Sequence, residues 1–212
     1  MGVVDQVSAE TAENTVIAEE DILRADMYSF LASLLRSEPT DDLLDRVASL
    51  NGDDTPIGNA CATMAKLAAS IDYSIIRNEY VDLFIGVGRG EVLPFASYYL
   101  TGFLNDRPLA NLRGDMDAIG IKRADGVREP EDHIGSLFDM MAGLIRGNYG
   151  RAFSVAEQQT FYAKHIEPWG PLLMRDVEGA KTAIFFAPVG TLGRGVLEIE
   201  SKAFEMDLTG RE

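Results

Sequence analysis

Apolar residues recur at intervals of three or four positions along most of the chain, the spacing that places side chains on one face of an α-helix. The first such stripe comprises Leu23, Met27, Phe30, Leu31 and Leu34. The last comprises Phe185, Val189, Leu192, Val196, Ile199 and Ala203. No segment alternates apolar and polar residues with the β-branched enrichment that is typical of a strand. The pattern therefore predicts an all-α fold.

Breaks in this pattern divide the chain into separate helices. Between the two stripes, helices are predicted over about residues 42–50, 56–70, 73–85, 95–104, 109–119, 154–165 and 168–178, and another is predicted to begin at Pro130. Residues 1–18 are acidic and are predicted to form a disordered N-terminal segment, and residues 122–128 an exposed loop. Because neither a repeat nor an internal linker is present, we expect residues 19–208 to form a single-domain multi-helix bundle.

The net charge of the chain argues against two classes of binding partner, nucleic acids and membranes. The 19 Lys and Arg residues against 34 Asp and Glu residues give a formal net charge of −15. Such a surface repels phosphate backbones and anionic lipids, so we expect no nucleic-acid partner and no stable membrane association. No apolar run is long enough to span a bilayer, and the N-terminal residues lack the basic charge of a targeting segment. We therefore expect a cytoplasmic location.

Few residues in this chain suit catalysis or metal binding. The chain has one cysteine, Cys61, which excludes a multi-cysteine cluster. It has two histidines, His133 and His165, which are too few for a His-rich zinc site. Neither histidine follows a glutamate at the spacing of a di-iron bundle. The glycines of Gly86–Gly90 lack the spacing of a dinucleotide-binding loop and indicate a turn. We predict no catalytic residue, no metal site and no cofactor.

One dense cluster of titratable residues consists of Glu129, Glu131, Asp132 and His133. Paired carboxylates beside a histidine could perform acid–base chemistry, which leaves a hydrolase, including a weak nucleotide hydrolase, as one alternative. Pro130 and its acidic neighbours also suit the first turn of a helix, where the dipole favours carboxylates. Composition alone favours the helix start. A further alternative is an interaction scaffold that binds through its distributed acidic surface.

The same cluster carries a family resemblance. Glu129–His133 has the form Glu-Pro-x-Asp-His, and Tyr80–Gly86 has the form aromatic-x-x-Leu-Phe-x-Gly. Pro94–Tyr99 has the form Pro-x-x-Ser-x-aromatic, and His165–Trp169 has the form His-x-x-Pro-Trp. Each block alone is a weak indication of a family, but all four occur in the order found in the TorD/DmsD/NarJ redox-enzyme maturation chaperones. The chain resembles that family from Tyr80 to Trp169.

This resemblance implies a TorD-like all-α fold and a chaperone rather than an enzyme. Members bind the twin-arginine signal peptide, or a related N-terminal segment, of a molybdenum-cofactor oxidoreductase and hold it until the cofactor is inserted. The peptide-binding residues that it implies are Glu129, Pro130, Asp132, His133, Tyr80, Leu83, Phe84, Pro94, Phe95, Ser97 and Tyr99. Gly86-Val87-Gly88 replaces the Gly-Pro that often follows the Leu-Phe block, which leaves the client's identity open.

A receptor for such a peptide needs carboxylates for the cationic n-region and an apolar groove for the h-region. We expect Asp132 to receive an arginine bidentately, and His133 to bond the peptide backbone or orient Asp132. Phe84 is expected nearer the core and Tyr99 nearer the groove, and Trp169 is expected to anchor the packing. The last helix is left open to pack internally or against a second copy of the chain in a homodimer.

Overall fold

A computed structural model describes residues 17–123 and 129–209, so residues 1–16 of the predicted disordered segment and residues 124–128 of the predicted 122–128 loop lie outside the described residues. The described residues form helices and no strand, which confirms the all-α prediction. A single turn of π-helix, Val81–Ile85, follows α4. The α-helices are α1 Glu19–Leu35, α2 Asp41–Ala48, α3 Pro56–Ser70, α4 Tyr73–Tyr80, α5 Ala96–Thr101, α6 Arg107–Ala118, α7 Ile134–Arg146, α8 Val155–His165, α9 Gly170–Glu178 and α10 Phe186–Thr209.

Helix α7 starts later than the sequence predicts. Pro130 does not open it; the helix begins at Ile134, and His133 is its N-cap. Glu131 and Asp132 therefore precede the helix and do not occupy its first turn. The prediction was wrong because the carbonyl of Asp132 accepts the N–H of Ala96, which belongs to another segment, and the first α-helical hydrogen bond of α7 is accepted by the carbonyl of His133.

The predicted buried faces of α1 and α10 are also wrong at one end of each helix, the start of α1 and the second half of α10. In α1, Leu23 is 64% exposed, whereas Arg24 lies against Glu200 of α10. In α10, Ile199 is 58% exposed and Ala203 is exposed, whereas Leu197, Glu200 and Phe204 are buried. A strict alternation of four and three residues has a period of 3.5, so it drifts by about 20° per seven residues around a straight α-helix. Over the length of α10 this drift turns the predicted stripe toward solvent.

The helices pack in two groups around a shared core. Helix α1 lies along α7, and α10 lies against α9 and α3. The rings of Tyr28 and Phe138 meet between α1 and α7 with centroids 5.5 Å apart. Trp169 is buried as predicted, and its indole N–H donates to the carbonyl of His165 at 2.7 Å. None of the helices in the described ranges is both long and apolar enough to cross a membrane.

A carboxylate from α4 holds the start of α10. Glu79 is largely buried and accepts hydrogen bonds from the backbone N–H groups of Ile184 at 2.7 Å, Phe185 at 3.0 Å and Phe186 at 2.8 Å. A helix leaves the N–H groups of its first turn without internal partners, and the dipole there favours a carboxylate. The cap also places the Phe186 ring against Tyr80, with centroids 5.8 Å apart.

Replacing Glu79 by Ala should lower the free energy of unfolding by about 2–4 kcal/mol, because three N–H groups at a largely buried helix start lose a charged acceptor. Asp82→Ala removes an exposed carboxylate from the adjacent π-helical turn and should change stability by less than about 0.5 kcal/mol. Chemical denaturation followed by circular dichroism measures both variants. Equal losses in the two would contradict the capping role.

Candidate functional site

Two motif segments that are distant in sequence cross in the fold. Phe95 and His133 form an isolated antiparallel bridge. The Ala96 N–H donates to the carbonyl of Asp132 at 3.0 Å, and the Ile134 N–H donates to the carbonyl of Pro94 at 2.9 Å. This pairing, called here the crossing, joins the Pro94–Ser97 segment to the start of α7.

His133 has a structural task at the crossing. Its Nδ1 accepts the backbone N–H of Gly135 at 3.1 Å and so caps α7. Its ring meets Phe95 edge-on, with centroids 5.1 Å apart. Burial, with a smaller contribution from nearby Arg36, lowers the pKa of His133 to about 4. The imidazole is therefore neutral near pH 7.

A cleft of about 260 Å³ opens on the His133 side of the crossing. The residues that line it come from the stretch just after α1, the end of α4 with the π-helical turn, and the two crossing segments. They are Arg36, Ser37, Glu38, Tyr80, Phe84, Ile85, Pro94, Phe95, Glu129 and His133. This set is called the cleft below. Half of the lining residues are aromatic or aliphatic, and the other half are polar or charged.

The cleft is lined by more acidic than basic side chains. Glu38 and Glu129 are exposed carboxylates, and Arg36 is the cation. The Arg36 guanidinium is 2.5 Å from Asp139, so its charge is already paired. Partial burial raises the pKa of Glu129, and Arg36 opposes that rise. The cleft thus combines apolar walls with a net negative edge, a combination that suits a ligand with both apolar and cationic groups.

The sequence-predicted site residues divide among several environments. The cleft brings together six of them, namely Glu129, His133, Tyr80, Phe84, Pro94 and Phe95. Pro130 lies beside the crossing, where its carbonyl accepts the His133 N–H at 3.3 Å. Leu83 and Ser97 are fully buried in the core. Phe84, expected nearer the core, is mostly buried and contributes to the cleft wall.

Asp132 does not face the cleft, which corrects the expectation that it meets an arginine in the same groove as the aromatic residues. Its side chain is 1% exposed, and its Oδ2 accepts the Ser97 N–H at 2.8 Å. The neighbouring residue His133 lines the cleft, while Asp132 lines a separate cavity beneath α5. Glu131 and Asp132 lie in a turn that the His133 N–H closes on the Pro130 carbonyl, and the backbone becomes extended at His133.

Tyr99 was expected near the groove but lies on another surface. Its hydroxyl donates to Asp176 at 2.7 Å, and its ring packs 5.4 Å from that of Trp169. It lines a different depression together with Arg89 and Arg175.

The arrangement does not assemble an acid–base centre from the acidic cluster. The Nδ1 of His133 is used by the Gly135 N–H, and Asp132 belongs to the opposite side of the crossing. Glu131 pairs with Arg113 at 2.8 Å. Within residues 17–123 and 129–209, no group of three His, Cys, Asp or Glu side chains is placed to hold a metal ion.

Sequence reasoning missed one wall of the cleft. Arg36, Ser37 and Glu38 come from the end of α1 and are brought there by the packing of α1 on α7. Gly135 permits this approach, because a Cβ on it would lie 2.9 Å from the Cβ of Arg36. Ile85 was also missed, although it lies within the Tyr80–Gly86 block, at the variable position between Phe84 and Gly86. No local pattern marks the residues after α1, since a tertiary contact places them.

The pKa of His133 predicts a pH dependence of stability. The unfolded histidine binds a proton near pH 6.5 and the folded one only near pH 4, so the stability that the neutral ring contributes is present above about pH 6.5 and is lost as pH falls toward 4. His133→Asn keeps a cap acceptor but does not titrate. The stability of the native chain relative to His133→Asn should therefore fall by up to about 3 kcal/mol between pH 7 and pH 4. Urea titrations across that range measure the difference, and a difference independent of pH would contradict the assignment.

Comparison with known proteins identifies the family. The model of the nitrate reductase delta subunit family matches residues 50–175, more than half of the chain. The chaperone protein TorD of Vibrio atlanticus is 27% identical over 190 residues, which cover 80% of this chain and 88% of that protein. TorD of Vibrio cholerae (El Tor Inaba N16961) is 28% identical over 166 residues, covering 73% and 70%.

A solved structure shows the same architecture. The chain superposes on a redox enzyme maturation protein from Archaeoglobus fulgidus with a TM-score of 0.56 at 19% identity, covering 88% of this chain and 99% of that one. At this identity the likeness shows the fold alone. The family match and the named relatives show more: this chain belongs to the nitrate reductase delta subunit family of TorD- and NarJ-type redox-enzyme maturation chaperones, and it is a chaperone and not an enzyme.

Proposed function

We propose that the chain acts in the cytoplasm and binds the twin-arginine signal peptide, or a related N-terminal segment, of a molybdenum-cofactor oxidoreductase. Binding holds the client until cofactor insertion and folding precede its export. The observation that carries the proposal is the cleft, where apolar side chains of two segments, Tyr80–Ile85 and Pro94–Phe95, meet the carboxylates of Glu38 and Glu129. The proposal assigns one peptide to one chain and needs no homodimer.

The chemistry of the cleft matches the two halves of such a peptide. An apolar h-region side chain can enter between Phe84, Ile85 and Phe95, which line one wall. Burying one large apolar side chain contributes about 1.5–3 kcal/mol. The cationic n-region would then lie along the acidic edge, where exposed ion pairs each contribute about 0.2–1 kcal/mol.

The size of the cleft also favours a peptide. Its volume of about 260 Å³ is at or below the low end of pockets that enclose small molecules, roughly 300–1,000 Å³. One or two side chains fill a space of this size while the rest of a peptide stays on the surface. Several such contacts, less the cost of ordering a flexible segment, lead us to expect a micromolar affinity of about −8 kcal/mol.

Ile85 offers a test with an internal control. Ile85 lines the cleft, whereas Ile75 of α4 does not, and both side chains are 54% exposed. Ile85→Ser should weaken binding of a synthetic peptide with an Arg-Arg n-region and an apolar h-region by about tenfold, because an apolar contact is lost. Ile75→Ser should leave the affinity unchanged. Isothermal titration calorimetry on the full chain measures both, and equal effects would show that the cleft is not the peptide site.

The carboxylates of Glu38 and Glu129 predict that the affinity for the peptide falls as salt concentration rises, and that these two residues cause much of that fall. Replacing Glu38 and Glu129 by Gln should weaken binding by about three- to tenfold at low salt and reduce the loss of affinity as salt rises. Replacing Glu19 and Glu20, in the first turn of α1 at its far end from Arg36, removes the same charge and serves as the control. Calorimetry at several salt concentrations measures the two slopes. If both pairs reduce the slope equally, the distributed charge of an acidic scaffold explains binding better.

A further inference from the structure

Another cavity, of about 200 Å³, opens between α6, α7 and α8 and shares no lining residue with the cleft. Most of the surface that it exposes is apolar, and the apolar residues that line it are Ala118, Ile119, Leu144, Phe153 and Phe161. This cavity is called the α8 pocket. His165, the first residue of the His-x-x-Pro-Trp block, lines it at the end of α8, and the proposed function assigns no role to that residue.

Most polar side chains around the α8 pocket already have partners. The Lys164 ammonium group lies 2.5 Å from the Asp115 carboxylate. The Glu157 carboxylate pairs with Arg151, also at 2.5 Å. The Thr160 hydroxyl donates to a backbone carbonyl of its own helix at 2.8 Å. A ligand in the pocket therefore gains little by competing for these groups.

The His165 ring is held in one orientation with one nitrogen left over. Its Nε2 is 2.7 Å from the Asp115 carboxylate, and the ring packs against Phe161 with centroids 4.9 Å apart. The main-chain carbonyl of His165 accepts the Trp169 indole N–H at 2.7 Å, which fixes the backbone. Across residues 17–123 and 129–209, Nδ1 of His165 has no hydrogen-bond partner, and it is not one of the fully buried atoms that lack one. It is therefore accessible to a ligand.

The protonation of Asp115 and His165 makes this free nitrogen an acceptor. Burial favours the neutral form of Asp115, but hydrogen bonds from Lys164 and His165 hold the pKa of its carboxyl group below the usual value. Burial lowers the pKa of His165, and Asp115 opposes that shift. Near pH 7 the pair is a carboxylate and a neutral imidazole. A carboxylate only accepts hydrogen bonds, so the imidazole hydrogen lies on Nε2 and Nδ1 presents a lone pair.

We propose that the α8 pocket binds one aromatic ring that carries a hydroxyl group, with the ring against the apolar walls and the hydroxyl donating to Nδ1 of His165. An apolar cavity of about 150 Å³ can hold benzene, so 200 Å³ accommodates one ring with a small substituent. Phe153 and Phe161 supply aromatic partners for that ring. A ring without the hydroxyl leaves Nδ1 unsatisfied, which gives the phenol its advantage.

Two probes of nearly equal shape test the site on the full native chain, followed by ¹H–¹⁵N amide shifts. p-Cresol carries the hydroxyl, whereas 4-fluorotoluene has in its place an atom that cannot donate. p-Cresol should bind with a dissociation constant of about 1 mM or tighter and shift the amides of Ile119, Leu144 and Phe161, leaving those of Ile85 and Phe95 in the cleft unchanged. 4-Fluorotoluene should bind about three- to tenfold more weakly. Equal affinities, or no shifts around the pocket, would overturn the proposal.

The same two probes assign the hydrogen bond to His165. His165→Phe keeps a ring against Phe161 but removes the acceptor, so p-cresol should lose its three- to tenfold advantage while 4-fluorotoluene still binds. A preference for p-cresol that survives in His165→Phe would show that Nδ1 is not the acceptor.

A second pair of variants changes exposed residues only and keeps the test independent of any loss of folding in His165→Phe. Ala118→Phe places a ring in the pocket and should weaken p-cresol binding about tenfold or more. Ala110→Phe places it at an exposed position of the same helix that does not line the pocket, and should change nothing. Equal affinities of the two variants for p-cresol would place the probe elsewhere and overturn the proposal.

The ring can belong to a free phenol or to a tyrosine side chain of a partner protein, and N-acetyltyrosinamide distinguishes these sources. If it binds as tightly as p-cresol and shifts the same amides, the pocket receives a tyrosine. If p-cresol alone binds, the ligand is a free phenol, and either result supports the site. Ala118→Phe should leave the affinity for the signal peptide unchanged, since the pocket and the cleft share no residue, so this site and the proposed function are tested separately.

Discussion

The hydrogen-bonded crossing of Pro94–Ser97 with the residues before α7 is the interaction on which the site depends. Its two main-chain bonds, Ala96 to Asp132 and Ile134 to Pro94, hold together segments that are distant in sequence. The Asp132 carboxyl group adds a third bond to Ser97, and His133 caps α7 from the same short stretch. The buried side chains of Asp132 and His133 thus hold the backbone in place by accepting its N–H groups. Without these bonds, neither wall of the cleft would have a defined position.

The crossing also divides the surface into two chemically different compartments. On the His133 side, the cleft is formed by aromatic residues and bordered by Glu38 and Glu129. On the Asp132 side, a smaller cavity contains a buried carboxylate within apolar walls. The Glu79 cap supports the first compartment, because it holds Phe186 behind Tyr80 and Phe84.

Much of the fold could be predicted from the sequence, because long helices carry their periodicity locally. The four motif blocks also indicated the family, and six of the proposed residues do meet in the cleft. What could not be predicted depends on tertiary contacts. The turn at Glu131 and Asp132, followed by extended backbone at His133, places the Asp132 and His133 side chains in different cavities, and the sequence motif alone does not show that division. Likewise, Arg36–Glu38 enter the site only because α1 packs closely over Gly135.

The most direct test of the account is a map of amide chemical shifts in the full chain as a twin-arginine signal peptide is added, recorded by ¹H–¹⁵N correlation spectroscopy. The account predicts the largest shifts at Glu38, Ile85, Phe95 and His133. Shifts spread over the acidic surface, or concentrated around Arg89 and Tyr99 while the cleft amides remain unchanged, would contradict it.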